Sequence, residues 1–507
     1  MSIVTDSPEG AKSGSSGRQP REGGVNTPGV EPRRGDIRSS SDPTIVDSPG
    51  GLDDAGARGE PGFGSRSRGS HPGLTDAAPP GLVKQSPGGD RSGLFSREID
   101  LAPYYRSIRD AVVQFPSRFL VGLGIILRLW EYLQNRSYWL DESSLYGNIK
   151  GKGILDFSGT LAGDQLAPFG FLIVQRSMQR IFDYQTYGMR LFPLVSGIMA
   201  LLLFARLARS TLAPRAALVA LALFSLSSDL IYYSAELKQY STDLAMAILI
   251  TLVARDLLDR PIDLPSGLRL LGLAIISPWL SFSSAFVVAG AGVTLVFDRL
   301  FRKHYQEGAT FAAVGAAWAI SFGLCYRATH AMLSQYTTMY IFWDFAFLPF
   351  PPGDLDSLRK FGGILLDVFV NPLNMVAPIF SGALVVVPVA ILLIGFCSLA
   401  HRSPALLSLF VLPLVLAIVA SALRKYPFHG RLILELVPPF FLLFGEGTEW
   451  IRLKTLGRPW ISRTALILLL AYPLLSGFFE GLSRSSRDFD SHGDLRHNLF
   501  LHENIKK

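Results

Sequence analysis

About eleven apolar segments follow one another along this chain from residue 117 onward, and they constrain its fold more than any other feature. A helix needs roughly 20 apolar residues to cross a membrane. The predicted spans are 117–133, 190–208, 213–232, 240–258, 267–282, 284–300, 309–327, 376–399, 404–423, 432–450 and 463–479. The pair at 267–300 is short and leaves two readings open, two spans or one broken helix. The pattern predicts an all-α polytopic membrane protein.

Composition divides the chain into a polar beginning and an apolar remainder. Of its 507 residues 49% are hydrophobic and 18% are charged, whereas soluble domains carry about a quarter charged residues. Residues 1–100 are rich in Gly, Ser, Pro, Asp and Arg and cannot bury enough apolar surface to fold. No apolar core follows Met1 within roughly 30 residues, so no cleavable signal peptide is expected. We predict a disordered tail (1–100), a transmembrane domain (101–480) and a C-terminal tail (481–507).

Loop cations predict the orientation, because Lys and Arg concentrate on the cytoplasmic side of a membrane. Basic residues gather before the first span and after the even-numbered spans: Arg97, Arg106, Arg109, Arg118, Arg206, Arg209, Arg215, Arg255, Arg260, Arg299, Arg302, Lys303, Arg402, Arg452, Lys454 and Arg458. The N-terminus is therefore predicted to be cytoplasmic and the C-terminus to lie outside. The formal charge of +7 fits these basic edges, and no basic-aromatic module indicates a nucleic-acid partner.

An acidic pair, Asp141 and Glu142, directly follows the first predicted span, in the first outer loop. Membrane anchoring usually uses Trp, Tyr, Lys and Arg at this boundary. Two interpretations stay open: an acidic cap at a helix N-terminus, or carboxylates that take a proton from a substrate. The same loop holds Asp164 and ends near Arg190, and its segment 166–182 is predicted to be an interfacial helix.

Two further polar clusters fall on the same predicted side. Between the third and fourth spans, Glu236, Tyr240 and Asp243 have the i, i+4, i+7 spacing of one helical face, with Lys238 on another. The alternative is an ordinary solvated turn. Between the ninth and tenth spans, a basic run suits a phosphate group or merely anchors to lipid head groups. It contains Arg424, Lys425, His429 and Arg431. The outer loop 328–375 adds His330, Tyr336, Tyr340 and Trp343, which suit sugar rings or form an interfacial belt.

At these residues, over about 115–480, the chain resembles bacterial membrane glycosyltransferases of the GT-C fold. The likeness is to the dolichyl-phosphate-mannose protein mannosyltransferase-like group, which includes the aminoarabinose transferases of lipid A. Four short patterns carry it: Asp141-Glu142; Ala167-Pro168-Phe169 with Arg190; Ser234, Glu236, Lys238 and Tyr240; and Arg431-Leu432 followed by Pro438-Pro439. The chain departs from the family at Lys238, which replaces Arg; at Ala167, which replaces the first of two prolines; and at Leu432, where Tyr is common, although Lys425-Tyr426 could serve instead.

The resemblance implies a multi-pass enzyme of the bacterial inner membrane whose donor lies in the membrane and whose acceptor lies in the periplasm. We predict that it transfers one sugar, with inversion, from a polyprenyl-phosphate donor to a glycan, lipid or protein acceptor. Asp141 is the predicted general base and Glu142 the second candidate. The donor phosphate would be bound by Lys238, Arg424, Lys425 and Arg431. The predicted positioning residues are Asp164, Arg190, Glu236, Tyr240 and His429.

No multi-carboxylate cage appears in the sequence, so the predicted chemistry uses no metal and no other cofactor. The alternative function is a transporter or flippase for a lipid-linked or anionic solute, which would use the same cations. Transporters usually show internal repeats and polar groups at mid-depth. This sequence shows no convincing repeat, and its charges gather near one surface, which favours the enzyme. A non-catalytic assembly protein that keeps the fold is a third reading.

Overall fold

The computed structural model describes residues 102–182, 186–334, 337–377 and 384–483, and every regular element in these ranges is a helix. The predicted tail 1–100, nearly all of the predicted tail 481–507, and Tyr336 lie outside the described residues. The α-helices are α1 Ala102–Leu133, α2 Leu140–Gly151, α3 Phe169–Ile181, α4 Thr186–Thr211, α5 Pro214–Leu226, α6 Ser228–Tyr232, α7 Tyr240–Asp259, α8 Leu264–Leu280, α9 Ser284–Phe301, α10 Tyr305–Ser334, α11 Thr337–Phe342, α12 Leu355–Asp367, α13 Val386–Arg402, α14 Pro404–Ala422, α15 Val437–Lys454 and α16 Pro459–Ser483.

Several of these helices suit a lipid bilayer. Those long and apolar enough to cross a membrane are Thr186–Thr211, Ser284–Phe301, Tyr305–Met332, Pro404–Ala422 and Pro459–Phe479. A sixth candidate is the pair Pro214–Leu226 and Ser228–Ala235, which is bent by 53°. Each predicted span overlaps one or two helices, and the segment 267–300 forms two of them, α8 and α9. The described part of the chain is therefore that of an all-helical membrane protein, and the count of eleven spans stays a prediction.

Aromatic residues fill the centre of the bundle, where α4, α5 and α15 meet. The rings of Phe204 and Phe224 stack with centroids 4.2 Å apart, and Phe441 meets Phe224 edge-on at 6.4 Å. All three side chains are fully buried. Such offset and edge-on pairs add about 0.5–1.5 kcal/mol each beyond the apolar area that they bury. This core fixes α4 and α5, which carry or adjoin the polar loops described below.

The short helices α2 and α3 share a small apolar core, to which Met189 of α4 and Leu237 also belong. Leu145 and Ile149 of α2 pack with Phe171 and Leu172 of α3, all fully buried. Helix α3 lies within the segment 166–182 that was predicted to be helical. Its hydrophobic stripe accounts for this packing, while its position at a membrane interface stays a prediction.

The loop between α2 and α3 is tied to α2 by Asn148. The Asn148 amide donates a hydrogen bond to the carbonyl of Ala162 at 2.9 Å and accepts one from the Ala162 N–H at 2.8 Å. Arg176 of α3 donates to the Ile149 carbonyl at 2.6 Å. These bonds satisfy backbone groups that would otherwise be orphaned in a loop. They also bring residues 163–165 back over the N-terminus of α2, where the acidic pair lies.

Candidate functional site

The acidic pair occupies the first turn of α2, so the helix dipole favours both negative charges. Glu142 accepts a hydrogen bond from the Trp139 backbone N–H at 3.3 Å, in the manner of a capping residue. The acidic-cap interpretation is therefore correct for Glu142. Adjacent residues of a helix point in different directions, and Asp141 faces a different set of partners.

Glu142 forms a buried bidentate ion pair with Arg190 of α4. The Arg190 Nε donates to Oε1 at 2.9 Å and Nη2 donates to Oε2 at 2.6 Å. The N–H of Leu237 also donates to Oε1, at 2.7 Å. Arg190 further donates to the carbonyls of Arg136 and Ser137. With every partner in place, this pair joins α2, α4 and the bend before α7, and Glu142 is closed to solvent.

Asp141 faces Arg431, which lies in the short 3₁₀ segment Gly430–Leu436 before α15. The Arg431 Nη2 donates to Asp141 Oδ2 at 2.6 Å, and the side chains are 18% and 19% exposed. The other oxygen, Oδ1, accepts from Gln165 Nε2 at 3.3 Å. Gln165 in turn accepts a hydrogen bond from the Lys238 ammonium. Residues from three other segments of the chain thus gather around one half-buried carboxylate.

The charges around Asp141 set its ionisation. Burial alone raises the pKa of Asp141, but Lys238, Arg431 and the hydrogen bonds from Gln165 and Arg431 together outweigh it and hold the pKa below the usual range. Burial lowers the pKa of Lys238, and Asp141 works against that shift. Asp141 is thus an ionised carboxylate at neutral pH, held between two cationic side chains.

Glu236 lies beside this group with an incomplete set of partners. It is fully buried, its Oε1 accepts from the Trp139 indole at 3.3 Å, and its Oε2 accepts no hydrogen bond. Burial and the neighbouring Glu142 carboxylate raise the pKa of Glu236, and the cations Arg431, Arg136 and Lys238 offset only part of that rise.

Two aromatic rings hold the Arg431 guanidinium. Its central carbon lies 5.0 Å from the centroid of the Trp139 ring and 5.7 Å from that of Tyr240. Tyr240 is the first residue of α7, is buried, and meets Tyr233 edge-on at 5.2 Å. Cation–π contacts of this kind contribute about 0.5–2 kcal/mol each. Arg431 is therefore fixed in place from two sides besides its bond to Asp141.

The predicted cation cluster around 424–431 divides in the structure. Lys238 and Arg431 belong to the Asp141 group, whereas Arg424 pairs with Asp344 at 2.6 Å and His429 with Asp367 at 3.0 Å. Lys425 is exposed and follows Arg424, whose φ of +56° turns the chain at the end of α14. His429 and Arg424 form a neighbouring aromatic surface: His429 meets the rings of Trp343 and Phe345, and the Arg424 guanidinium lies 5.1 Å from the centroid of Phe347.

The structure also describes the predicted positioning residue Asp164 and the predicted helical face that contains Glu236. Asp164 is half-buried and has a φ of +52°, next to Gly163 at +70°, so it forms the tight turn that presents Gln165. The expected shared face of Glu236, Tyr240 and Asp243 is wrong, because α7 begins only at Tyr240 and Glu236 is extended.

Sequence reasoning missed Gln165 and the ring of Trp139. The available signals were that Gln165 follows Asp164 and that Trp139 lies two residues before Asp141. Both residues are of types that are ordinary in loops and at membrane interfaces. Among the described residues, no group of three or more His, Cys, Asp or Glu side chains could hold a metal ion.

These features define a helical membrane protein with a half-buried carboxylate–arginine site beside two aromatic rings. No family model and no curated protein matches the chain. Solved structures of an archaeal oligosaccharyltransferase from Archaeoglobus fulgidus align with it at 10–11% identity. One, a complex with Zn and sulfate, has a TM-score of 0.46 and aligns 71% of this chain with 53% of its own length.

A second structure of that protein, AglB in complex with an inhibitory peptide and a dolichol-phosphate, has a TM-score of 0.45 and aligns 75% of this chain. The chain spans little more than half the length of these structures, 53–56%. TM-scores in this range do not establish a common fold, so the GT-C fold stays a prediction. The mannosyltransferase-like subgroup stays a prediction.

Proposed function

We propose that this protein transfers a single sugar from a polyprenyl-phosphate donor to a hydroxyl acceptor on the outer side of a bacterial inner membrane, with inversion at the sugar. The ion pair of Asp141 with Arg431 at 2.6 Å carries this proposal. It brings a base and a phosphate-binding group together, partly open to solvent, beside aromatic rings in an otherwise apolar bundle. The outer side follows from the distribution of loop cations.

Asp141 is the proposed general base. It is ionised, it is reachable, and its helix-terminal position fixes its direction. In the reaction, the acceptor hydroxyl oxygen forms a bond to the anomeric carbon as the bond from that carbon to the phosphate oxygen breaks. The acceptor proton moves to Asp141, and the bonding electrons leave on the lipid phosphate. One negative charge thus disappears at the carboxylate and one appears at the phosphate, so the site's net charge is unchanged. Base catalysis of this kind contributes about 10²–10⁴-fold.

Arg431 is the proposed principal partner of the donor phosphate. A guanidinium presents a planar fork of donors that matches phosphate oxygens, and the Arg431 side chain is partly exposed and contacts Asp141 directly. Lys238 is more deeply buried and stabilises the developing charge from behind through Gln165. Fixed cations aimed at a leaving group are effective because they need no reorganisation during the reaction.

The remaining predicted residues receive supporting roles in this proposal. Glu142 and Arg190 hold the acidic loop against α4, and Glu236 anchors Trp139. Arg424 and His429 lie on the neighbouring aromatic surface and Lys425 is exposed next to Arg424, and we propose that these three side chains suit the acceptor or lipid head groups. The donor sugar and acceptor class are left open, and no metal or other cofactor is required by this scheme.

The test is sugar transfer by the purified full-length protein in lipid nanodiscs, supplied with a panel of polyprenyl-phosphate sugars. Release of free polyprenyl phosphate is measured for the wild type, Asp141→Asn and Arg359→Gln, the last being an exposed control. The proposal expects turnover in the wild type and the control and a loss of at least about 100-fold in Asp141→Asn. Equal turnover in all three would remove Asp141 from the catalytic role.

Transport of a lipid-linked solute is the second candidate function. Two observations favour it: the break between α5 and α6, which bends the pair by 53°, and the buried carboxylates Asp243 and Glu435, which each have an oxygen without a hydrogen bond. Broken helices and buried charges are typical of transporters. Movement of a fluorescent polyprenyl-phosphate sugar across liposomes, without consumption of any donor, would support this function over transfer.

A further inference from the structure

Two acid–arginine pairs lie side by side at the start of α2, and they are built differently. The pair of Glu142 with Arg190 is bidentate, only 1% and 2% exposed, and surrounded by further hydrogen bonds. The pair of Asp141 with Arg431 has a single contact at 2.6 Å between side chains that are 19% and 18% exposed. Because the second pair has one hydrogen bond and access to solvent, an incoming anion can separate it at far lower cost.

Each member of the open pair keeps other supports when the contact breaks. Arg431 remains between the rings of Trp139 and Tyr240. Asp141 remains bonded through Oδ1 to Gln165, which is itself held by Lys238. Opening this pair therefore strands neither charge in an apolar setting, the usual reason why breaking a buried ion pair is costly.

Inversion at the sugar also requires the two groups to separate. In an in-line displacement the acceptor oxygen and the leaving phosphate lie on opposite faces of the sugar. If Asp141 contacts the acceptor and Arg431 contacts the phosphate, the sugar lies between them and their direct bond is broken. The direct contact of Asp141 with Arg431 is thus incompatible with the reacting complex that the proposed function describes.

We propose that the Asp141–Arg431 contact is an exchange site, in which the anionic phosphate of the lipid donor replaces the Asp141 carboxylate on Arg431. This inference rests on the proposed function. The carboxylate released in this way loses its closest cation and becomes a stronger base, because an adjacent positive charge favours the ionised form. Asp141 is then held inactive until the donor is bound, and donor binding and base activation become one event.

The exchange predicts that removal of the Asp141 carboxylate increases the affinity of the protein for the donor. The experiment measures binding of a polyprenyl monophosphate to the full-length protein in nanodiscs of neutral lipid, for the wild type, Asp141→Asn, Arg431→Gln and Glu236→Gln. Asp141→Asn should bind roughly three- to tenfold more tightly than the wild type, because Arg431 has lost its competing anion. Arg431→Gln should bind at least about tenfold more weakly.

Glu236→Gln is the matched control, since it alters a nearby acidic group that does not contact Arg431. An equal gain in Glu236→Gln and Asp141→Asn would indicate a general charge effect and overturn the exchange. Unchanged or weaker binding in Asp141→Asn would also overturn it. Asp141→Ser, measured alongside, guards against a local defect of the Asn variant and should show the same gain.

Binding is read without turnover, so the two proposals fail separately. Absence of sugar release by the wild type, together with the expected affinity pattern, would overturn the transferase and leave an exchange site for a lipid phosphate. Sugar release that depends on Asp141, without the affinity gain in Asp141→Asn, would overturn the exchange and leave the transferase intact.

Discussion

Arg190 and Glu142 meet through two hydrogen bonds of 2.6 and 2.9 Å, and their side chains are 2% and 1% exposed. The pair lies where α2, α4 and the bend before α7 come together, and Leu237 completes it from the third direction. Asp141 is the residue before Glu142, so the direction of the candidate base depends on this buried pair. The stability of the fold and the geometry of the site are therefore linked at one ion pair.

The first prediction concerns that pair. Arg190→Leu leaves the Glu142 carboxylate buried without its cation, and we expect the free energy of unfolding to fall by about 3–5 kcal/mol. Thermal denaturation in a mild detergent, followed by circular dichroism, measures the loss. The control is Arg359→Gln, which breaks a pair with Asp356 whose side chains are 71% and 89% exposed, and which should cost about 1 kcal/mol or less. Equal effects of the two substitutions would contradict the assigned role.

The second prediction concerns Gln165, which donates to Asp141 and accepts from Lys238. Gln165→Leu keeps most of the side-chain volume and removes both bonds. We expect kcat to fall roughly tenfold, the equivalent of about one hydrogen bond to a charged group, with a smaller change in KM. Gln165→Glu should restore the bond to Lys238 but not the one to Asp141, because a carboxylate cannot donate. A decrease in thermal stability with unchanged kcat would make Gln165 a structural residue only.

The third prediction concerns pH. The cations Lys238 and Arg431 hold the pKa of Asp141 below the usual range, which is about 3.9 in an unfolded chain. The ionised form is the active one, so kcat/KM, which reports the free enzyme, should stay level as pH falls from 7 and decline only at the low folded pKa. The lowered pKa of Asp141 also stabilises the fold. This contribution is present above the pKa that Asp141 has in the unfolded chain, and it is lost as pH falls through its lower pKa in the folded protein.

Arg431→Gln tests the cause of that shift. Loss of the cation should move the acidic limb of kcat/KM to higher pH, because an adjacent positive charge no longer favours the carboxylate. For the wild type, kcat reports the complex with the donor. If phosphate engages Arg431 in that complex, kcat should decline at a higher pH than kcat/KM does. If kcat and kcat/KM of the wild type and kcat/KM of Arg431→Gln all declined at the same pH, Arg431 would not control the ionisation of Asp141.

The sequence predicted the helices well because apolar runs of this length have few other solutions in lipid. The alternation of loops predicted Asp141, Lys238 and Arg431 on the outer side, which stays a prediction, and the structure brings these three residues together. It could not predict the bend at Glu236, because the N–H of Leu237 is held by Glu142, 95 residues earlier in the chain. Helical spacing therefore gave the wrong face for that carboxylate.

The basic run at 424–431 shows the same limit in another way. Its members are close in sequence, and their common charge suggested one phosphate site. Arg424 instead pairs with Asp344, and the His429 ring contacts Asp367, while Arg431 follows a positive-φ glycine, Gly430, which redirects the chain. Which of these basic residues share a site therefore depends on acidic partners far away in the sequence, and the spacing of the basic run does not reveal those partners.

The fourth prediction tests the packing of the bundle away from the site. Helices α13 and α15 approach so closely that a Cβ added at Gly395 would lie 2.0 Å from the carbonyl oxygen of Leu443. Small residues permit such contact between membrane helices. We expect Gly395→Ala to cost about 1–3 kcal/mol, because backbone atoms must move apart.

The matched control is Gly292→Ala in α9, where an added Cβ meets no atom within 4 Å. Ala is the better helix former by about 1 kcal/mol, so this variant should be unchanged or slightly more stable. Thermal midpoints in the same detergent compare the two. Because α13 and α15 are in close contact at Gly395, only Gly395→Ala should lower the midpoint. Because Gly395 contacts none of the residues around Asp141 described above, the fraction of Gly395→Ala that remains folded should keep its donor affinity. A lowered affinity per folded molecule would instead show that the position of α15, which follows Arg431 in the chain, is transmitted to the site.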